Sequence, residues 1–220
     1  MADGGRRAII EFAGLPGAGK STITRGFRPL MGETRGPQVP PFSRRASPML
    51  YAAAASFFLS LRPLGFNDAH RCLKLIEAYN AYRYGLGAPL LLEQGLIQRL
   101  WSTLADRMEY KPEKLEAFVH RLAEAPPDVI VWVKTKPEVA AQRILQRPRG
   151  NSRYERMAAP EIIAKLGTAG QVYETLIGLY RRHPAAAILE LSGEDPVDEN
   201  VARVTSFVRA HVPGLEVREP

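Results

Sequence analysis

Near the start of the chain, Gly14-Leu15-Pro16-Gly17-Ala18-Gly19-Lys20-Ser21 meets the spacing G-x-x-x-x-G-K-[ST]. Glycines at these positions let a loop wrap close to phosphate oxygens with its N–H groups turned inward, and a helix starting there adds a favourable partial positive charge. In such a loop Lys20 bridges the β- and γ-phosphates of a nucleotide, and the Ser21 hydroxyl is a ligand for Mg²⁺. Gly14, Pro16, Gly17, Ala18, Gly19, Lys20, Ser21 and Thr22 are therefore the candidate nucleotide-binding residues, with ATP and Mg²⁺ as the expected cofactors.

Two further groups have the right chemistry. Arg143, Arg147, Arg149 and Arg153 fall close together around Pro148 and Gly150, where a helix breaks into a cationic loop. Mobile arginines that close over a transferring phosphoryl group neutralise the charge spread over its oxygens and exclude water. Taken alone, such a run reads as a solvated basic helix end; the phosphate loop upstream reverses that preference. Glu93 ends the apolar run Pro89-Leu90-Leu91-Leu92, and a carboxylate at the C-terminal end of a buried strand sits where open α/β sheets bind ligands. It would orient Mg²⁺ or accept the proton of an attacking hydroxyl, and both roles stay open. Asp128 starts its strand instead of ending it, which makes it a poor catalytic candidate.

The elements that must position these residues follow from the pattern. Ala8 to Ala13 reads as a strand and Lys20 to Arg28 as a helix closed by Pro29. Residues 31–47, rich in glycine and proline, read as a loop, and Ser47-Pro48 as the cap and first turn of a helix from Met49 to Ser60. A helix is expected from Asp68 to Tyr84, a strand at Pro89 to Glu93, and helices at Gln98 to Met108 and Lys111 to Ala125. Then come a strand from Asp128 to Val133, a helix opening at Pro137, a longer one from Pro160 to Arg182, a strand from Ala186 to Leu191 and a closing helix from Val197 to Val212. Strands alternating with helices at this spacing imply right-handed βαβ crossovers and a mostly parallel central sheet covered on both faces, an α/β fold of three layers.

With 220 residues, 45% of them hydrophobic, the chain suits one sizeable core and one domain, 1–220. Its phosphate-binding part spans 8–30, its acceptor-binding part 31–110 and its arginine lid 143–160. The net charge of +7 comes mainly from scattered arginines and favours a polyanionic ligand, for which a nucleoside triphosphate suffices. No lysine- and arginine-rich block with interleaved aromatics exists, so no stable nucleic-acid partner is expected. Cys72 is the only cysteine, which rules out an internal disulfide and suits a reducing compartment. Met1 to Arg7 lacks the apolar core of a secretory signal, and the apolar stretch Met49 to Leu61 falls short of the roughly 20 residues that span a bilayer. A cytoplasmic protein without a transmembrane segment is expected.

On these residues the chain resembles the thymidylate kinase and deoxynucleoside kinase group of P-loop kinases. The resemblance is carried by Gly14 to Ser21, Glu93, Pro127 to Val133, Lys136-Pro137-Glu138 and the arginines 143, 147 and 149. It continues through Arg153-Tyr154-Glu155, the helix with Tyr173 and the late Ser192-Gly193. It implies a P-loop NTPase fold, ATP-dependent transfer of a γ-phosphoryl group, a lid formed by Arg143, Arg147 and Arg149 over ATP, and adenine held near Ser192 and Gly193. The acceptor implied is a nucleoside or nucleotide. One departure bears on it: the group carries Asp-Arg or Glu-Arg after this strand, where the chain has Glu93-Gln94-Gly95. The phosphate-contacting arginine is missing, which opens the door to a sugar, antibiotic or other metabolite hydroxyl, with Gln94 or Gln98 binding a neutral polar acceptor. Glu33-Thr34-Arg35 is the remnant of further acceptor contacts. A nucleotide-dependent regulatory ATPase with a protein or nucleic-acid partner is the rival reading, although no Walker-B aspartate or switch loop is evident. Dimers are common in the group, and a homodimer stays open.

Overall fold

The run Ile9–Gly14 (β1) combines β-branched and aromatic residues, and all of it is buried. Three further short strands join it: Leu90–Leu92 (β2), Val129–Lys134 (β3) and Ala187–Ser192 (β4). The computed structural model describes residues 7–32, 48–61, 66–85, 87–105, 107, 110–147, 154, 157–183 and 187–219. Among these the sheet has four strands, all parallel, in the order β2-β1-β3-β4. Glu11 stands opposite Leu92, Gly14 opposite Val133, and Lys134 opposite Ser192. That register brings the C-terminal ends of all four strands to one edge, which becomes the floor of the site.

Helices connect the strands: Lys20–Phe27 (α1), Pro48–Ser60 (α2), Phe66–Tyr84 (α3), Leu96–Leu104 (α4), Pro112–Leu122 (α5), Pro137–Leu145 (α6), Ala159–Arg181 (α7) and Val197–His211 (α8). Successive residues of β1 point to opposite faces. Phe12 meets Phe27 of α1, while Glu11 turns to α4. The sheet is thus covered on both sides, as parallel sheets are.

Most element positions match the sequence pattern, and the differences have local causes. Pro29 does not stop the chain cleanly: Arg28–Met31 forms a 3₁₀ turn with the proline in its first turn, where a missing N–H is harmless. β2 is limited to Leu90–Leu92, so Glu93 lies just beyond it, and Ser192 belongs to β4 instead of the loop after it. α4 begins at Leu96, before the expected Gln98, and ends at Leu104, short of Met108. Pro48 opens α2 as expected. Ser47, the Glu33-Thr34-Arg35 segment and the rest of 33–47 lie outside the described residues. No helix among the described residues is long and apolar enough to cross a membrane.

Aromatic side chains form much of the core. Phe57 of α2 stacks on Phe118 of α5, with centroids 5.2 Å apart, and meets Phe58 edge-on at 5.3 Å. Leu50, Ala54, Phe57 and Phe58 are the buried face of α2; Met49 and Leu59 point outward, at 57% and 62% exposure. Truncating Phe57→Ala removes a ring that no neighbour can replace, and should cost about 3–5 kcal/mol in urea unfolding, whereas Leu59→Ala should stay within about 0.5 kcal/mol. Equal effects from the two would show that α2 is not seated as described.

Candidate functional site

The phosphate loop runs between β1 and α1 and is hemmed in by α6. Gly17 adopts φ 84°, a left-handed conformation, and a Cβ there would meet the Ala140 carbonyl oxygen at 2.5 Å, so only glycine fits. The loop closes on itself through Ala18 N–H to the Leu15 carbonyl, 3.1 Å, and enters α1 through Thr22 and Ile23 N–H to the Gly19 carbonyl. Lys20 folds back over the loop, donating to the carbonyls of Gly14 (2.5 Å) and Leu15 (2.9 Å). Burial pulls its ammonium down from 10.5 to about 8; Glu93 opposes that shift and Arg147 adds to it.

Parallel pairing sets Glu93 beside the loop. The Ser21 hydroxyl donates to its Oε2. A hydroxyl and a carboxylate side by side at the phosphate end of the loop are hard oxygen donors suited to Mg²⁺, which is usually held by one or two such groups together with phosphate oxygens and water. Among the described residues there is no group of three or more His, Cys, Asp or Glu able to hold an ion unaided. Asp128 sits at the opposite end of the strands, where its carboxylate accepts the Ile9 N–H at 2.7 Å and fastens β1 to β3.

The other wall comes from α6 and the turn after β4. Arg143 lies in the last turn of α6, and its Nη1 donates to the Gly17 carbonyl at 3.4 Å. Arg147 is exposed just past that helix. Arg149 and Arg153 lie outside the described residues. Ser192 and Gly193 are close to the loop: Gly193 N–H donates to the Lys134 carbonyl at 2.7 Å, and its α-carbon packs against the Ala18 carbonyl and the Thr135 hydroxyl. Asn200 of α8 donates to the Ser192 carbonyl at 2.8 Å, and the Lys136 N–H donates to Glu194 Oε1 at 3.1 Å. Pro16 and Thr22 border the loop, Thr22 being exposed.

Sequence reasoning assigned no role to Glu11, which the structure makes the polar centre between β1, α3 and α4. Its carboxyl is fully buried in β1 and caps α4 from a distance: Ile97 N–H and Gln98 N–H donate to Oε1 at 2.8 and 3.1 Å. The Tyr82 hydroxyl donates to Oε2 at 2.9 Å and accepts the Leu96 N–H at 3.3 Å. This is why α4 starts early: its first N–H groups have partners that no neighbouring residue supplies. Gly95 offers no cap of its own, because a Cβ would collide with the Glu11 carboxyl and the Tyr82 hydroxyl. Gln98, expected to face an acceptor, instead meets the Tyr173 hydroxyl, which also lies 2.9 Å from the Gly14 carbonyl. The available signal was a lone glutamate inside an apolar strand, since a buried charge requires partners.

No protein-family model matches the sequence, and no curated protein matches it. Among solved structures, the thymidylate kinase from Candida albicans is 14% identical over 93% of this chain and 92% of that one, with a TM-score of 0.54. A deoxyadenosine kinase from M. mycoides, solved with bound dATP, is 13% identical over 91% of this chain and 99% of that one, with a TM-score of 0.53. The fold is that of the P-loop nucleotide kinases.

Burial raises the Glu11 carboxyl from 4.5 to about 7, against the hydrogen bonds from Gln98, Tyr82 and Ile97 that favour its charge. The folded state therefore holds this proton where the unfolded chain has lost it, and Glu11 costs stability as pH rises from about 4.5 through 7. At pH 8.5 that cost is about 3 kcal/mol. Glu11→Gln should match the wild type in urea unfolding near pH 4.5 and exceed it by about that amount at pH 8.5; a gap independent of pH would refute the assignment.

Proposed function

We propose that this protein transfers the γ-phosphoryl group of ATP to a small acceptor, with a nucleoside or nucleotide preferred. The observation that carries the reading is the meeting of Ser21 and Glu93 beside the Lys20 loop, a metal-binding pair next to a phosphate cradle. The loop N–H groups and Lys20 would hold the phosphates, the lysine leaving the Gly14 and Leu15 carbonyls for β- and γ-phosphate oxygens. Mg²⁺ bound by Ser21, with Glu93 orienting it, would neutralise charge on the phosphate oxygens. Where the metal is held otherwise, Glu93 is also suited to take the proton of the attacking group. Arg143 is already at the loop, and Arg147, Arg149 and Arg153 follow it in the chain as the lid that would cover the transferring group. The backbone at Ser192 and Gly193 is the proposed seat of the adenine.

The acceptor would enter from the side of β2. A cavity of about 60 Å³ lies between α3, the end of β2 and α4, lined in part by Tyr82, Gln94, Gly95 and Arg99. Gln94 occupies the place after Glu93, and the Arg99 Nε, buried one helical turn further on, has no hydrogen-bond partner among the described residues. A cation with unused donors at that position supports an acceptor that offers oxygen atoms, and it compensates in part for the absent arginine at residue 94. A sugar, antibiotic or other metabolite hydroxyl is the second choice of acceptor, because Gln94 is neutral.

ADP release with ATP and Mg²⁺, measured across nucleosides, nucleoside monophosphates, sugars and aminoglycosides, should rise well above the acceptor-free rate for one class. Lys20→Ala should lower that rate by about 10²–10³-fold with the fold intact. If small acceptors do nothing while a protein or nucleic acid stimulates hydrolysis, the regulatory-ATPase reading replaces this one. Arg147→Ala should reduce kcat about tenfold or more with little change in the affinity for ATP. A change confined to KM would mean that Arg147 binds ground state and transition state alike.

A further inference from the structure

We infer that Glu11 is a positioning residue for phosphoryl transfer, holding the first turn of α4 so that Glu93 meets Ser21 and Gln98 meets Tyr173 beside the phosphate loop. The inference rests on the proposed kinase reading. Only Gln94 and Gly95 separate Glu93 from α4, so the place where α4 begins fixes where the Glu93 carboxylate can reach. Nothing local fixes that beginning, because Gly95 has no side chain to cap with. The anchor comes across the sheet, from one carboxyl on β1 that takes the N–H groups of Ile97 and Gln98 directly and that of Leu96 through Tyr82.

Its reach extends to the other end of the loop. Gln98 holds the Tyr173 hydroxyl next to the Gly14 carbonyl, the same oxygen that receives Lys20. Trp101, one turn further along α4, stacks on Tyr173 with centroids 5.0 Å apart and donates its Nε1–H to the Ala169 carbonyl at 2.8 Å, so the tyrosine cannot swing away independently of α4. A rigid unit of α4 and α7 therefore touches the phosphate loop at Gly14 and presents Glu93 to Ser21. Glu11 is its fastening to β1. Among the described residues no cation pairs with this carboxyl, so its partners are the α4 N–H groups and Tyr82 alone.

Binding of a fluorescent ATP analogue, measured with Mg²⁺ and with EDTA, separates positioning from general support of the fold. Glu11→Ala should weaken Mg²⁺-dependent binding about tenfold or more, the size of effect seen when a support behind a metal ligand is removed. It should change metal-free binding less than about twofold, and Glu11→Gln, which keeps the acceptor oxygen, should restore the ratio of the two affinities to within about threefold. A ratio unchanged in Glu11→Ala, or lost equally in Glu11→Gln, overturns the inference. Should Glu11→Ala not fold, Tyr82→Phe carries the test: it removes one donor to Glu11 and the acceptor for Leu96, and must lower the same ratio or the inference falls. A wild-type protein without Mg²⁺-dependent nucleotide binding fails the kinase reading itself, a result distinct from wild-type binding that ignores Glu11.

Discussion

Every polar group of β1 must be satisfied without water, because the strand has a neighbour along both edges and helices over both faces. Its backbone does this through the ladders to β2 and β3. What remains is Glu11, resolved by α3 and α4, and the end of the strand at Gly14, resolved by Lys20 and α7. The carboxyl finds three donors, and the Gly14 carbonyl receives Lys20 and lies within reach of the Tyr173 hydroxyl. Leaving a buried donor or acceptor unmade costs about 1–3 kcal/mol. The helices are thus fastened to the central strand at the two points nearest the site, and the site inherits their rigidity.

Electrostatics prepares the loop for an anion before any anion is there. Lys20 is desolvated, and among the described residues its close countercharge is Glu93, itself engaged by Ser21. The ammonium rests on two backbone carbonyls, partners much weaker than phosphate oxygens. Phosphate oxygens in their place would offset the desolvation and stabilise the charged lysine. Arg143 and Arg147 add positive potential from the α6 side, and Arg147 contributes to holding the lysine below its ordinary value. The electrostatic stress at the loop is of one sign, and a polyanion would remove it.

Local pattern made the phosphate side legible. The loop is a contiguous run whose spacing encodes its own geometry, and the strand before it and the helix after it are continuous in sequence. Glu93 was readable for a similar reason, as the carboxylate that ends an apolar run. The α4 side was not readable in this way, because its contacts join residues far apart: Tyr82 to Glu11 spans 71 positions, and Ile97 to Glu11 spans 86. Periodicity reports which face of an element is apolar and says nothing of which distant side chain will cap it. The early start of α4 is the same limitation seen from the backbone, since no Ser, Thr, Asp or Asn stands at residue 95 to announce it. Tyr79 and Tyr82 are both buried, yet Tyr82 is also a hydrogen-bond relay, a role that burial alone does not distinguish.

The two sides of the loop differ in what sequence change they can absorb. On the α6 side, Gly17 and Gly193 lie against backbone carbonyls, so the contacts depend on main-chain shape and on the absence of side chains. On the α4 side, the contacts run through Glu11, Tyr82, Gln98 and Tyr173, and each requires a particular functional group. A substitution in the cavity between α3 and α4 therefore acts on the same helices that hold Glu93 against Ser21. Outward positions such as Gln94 can change without disturbing this framework, whereas inward ones can change only when the polar connection to β1 is preserved.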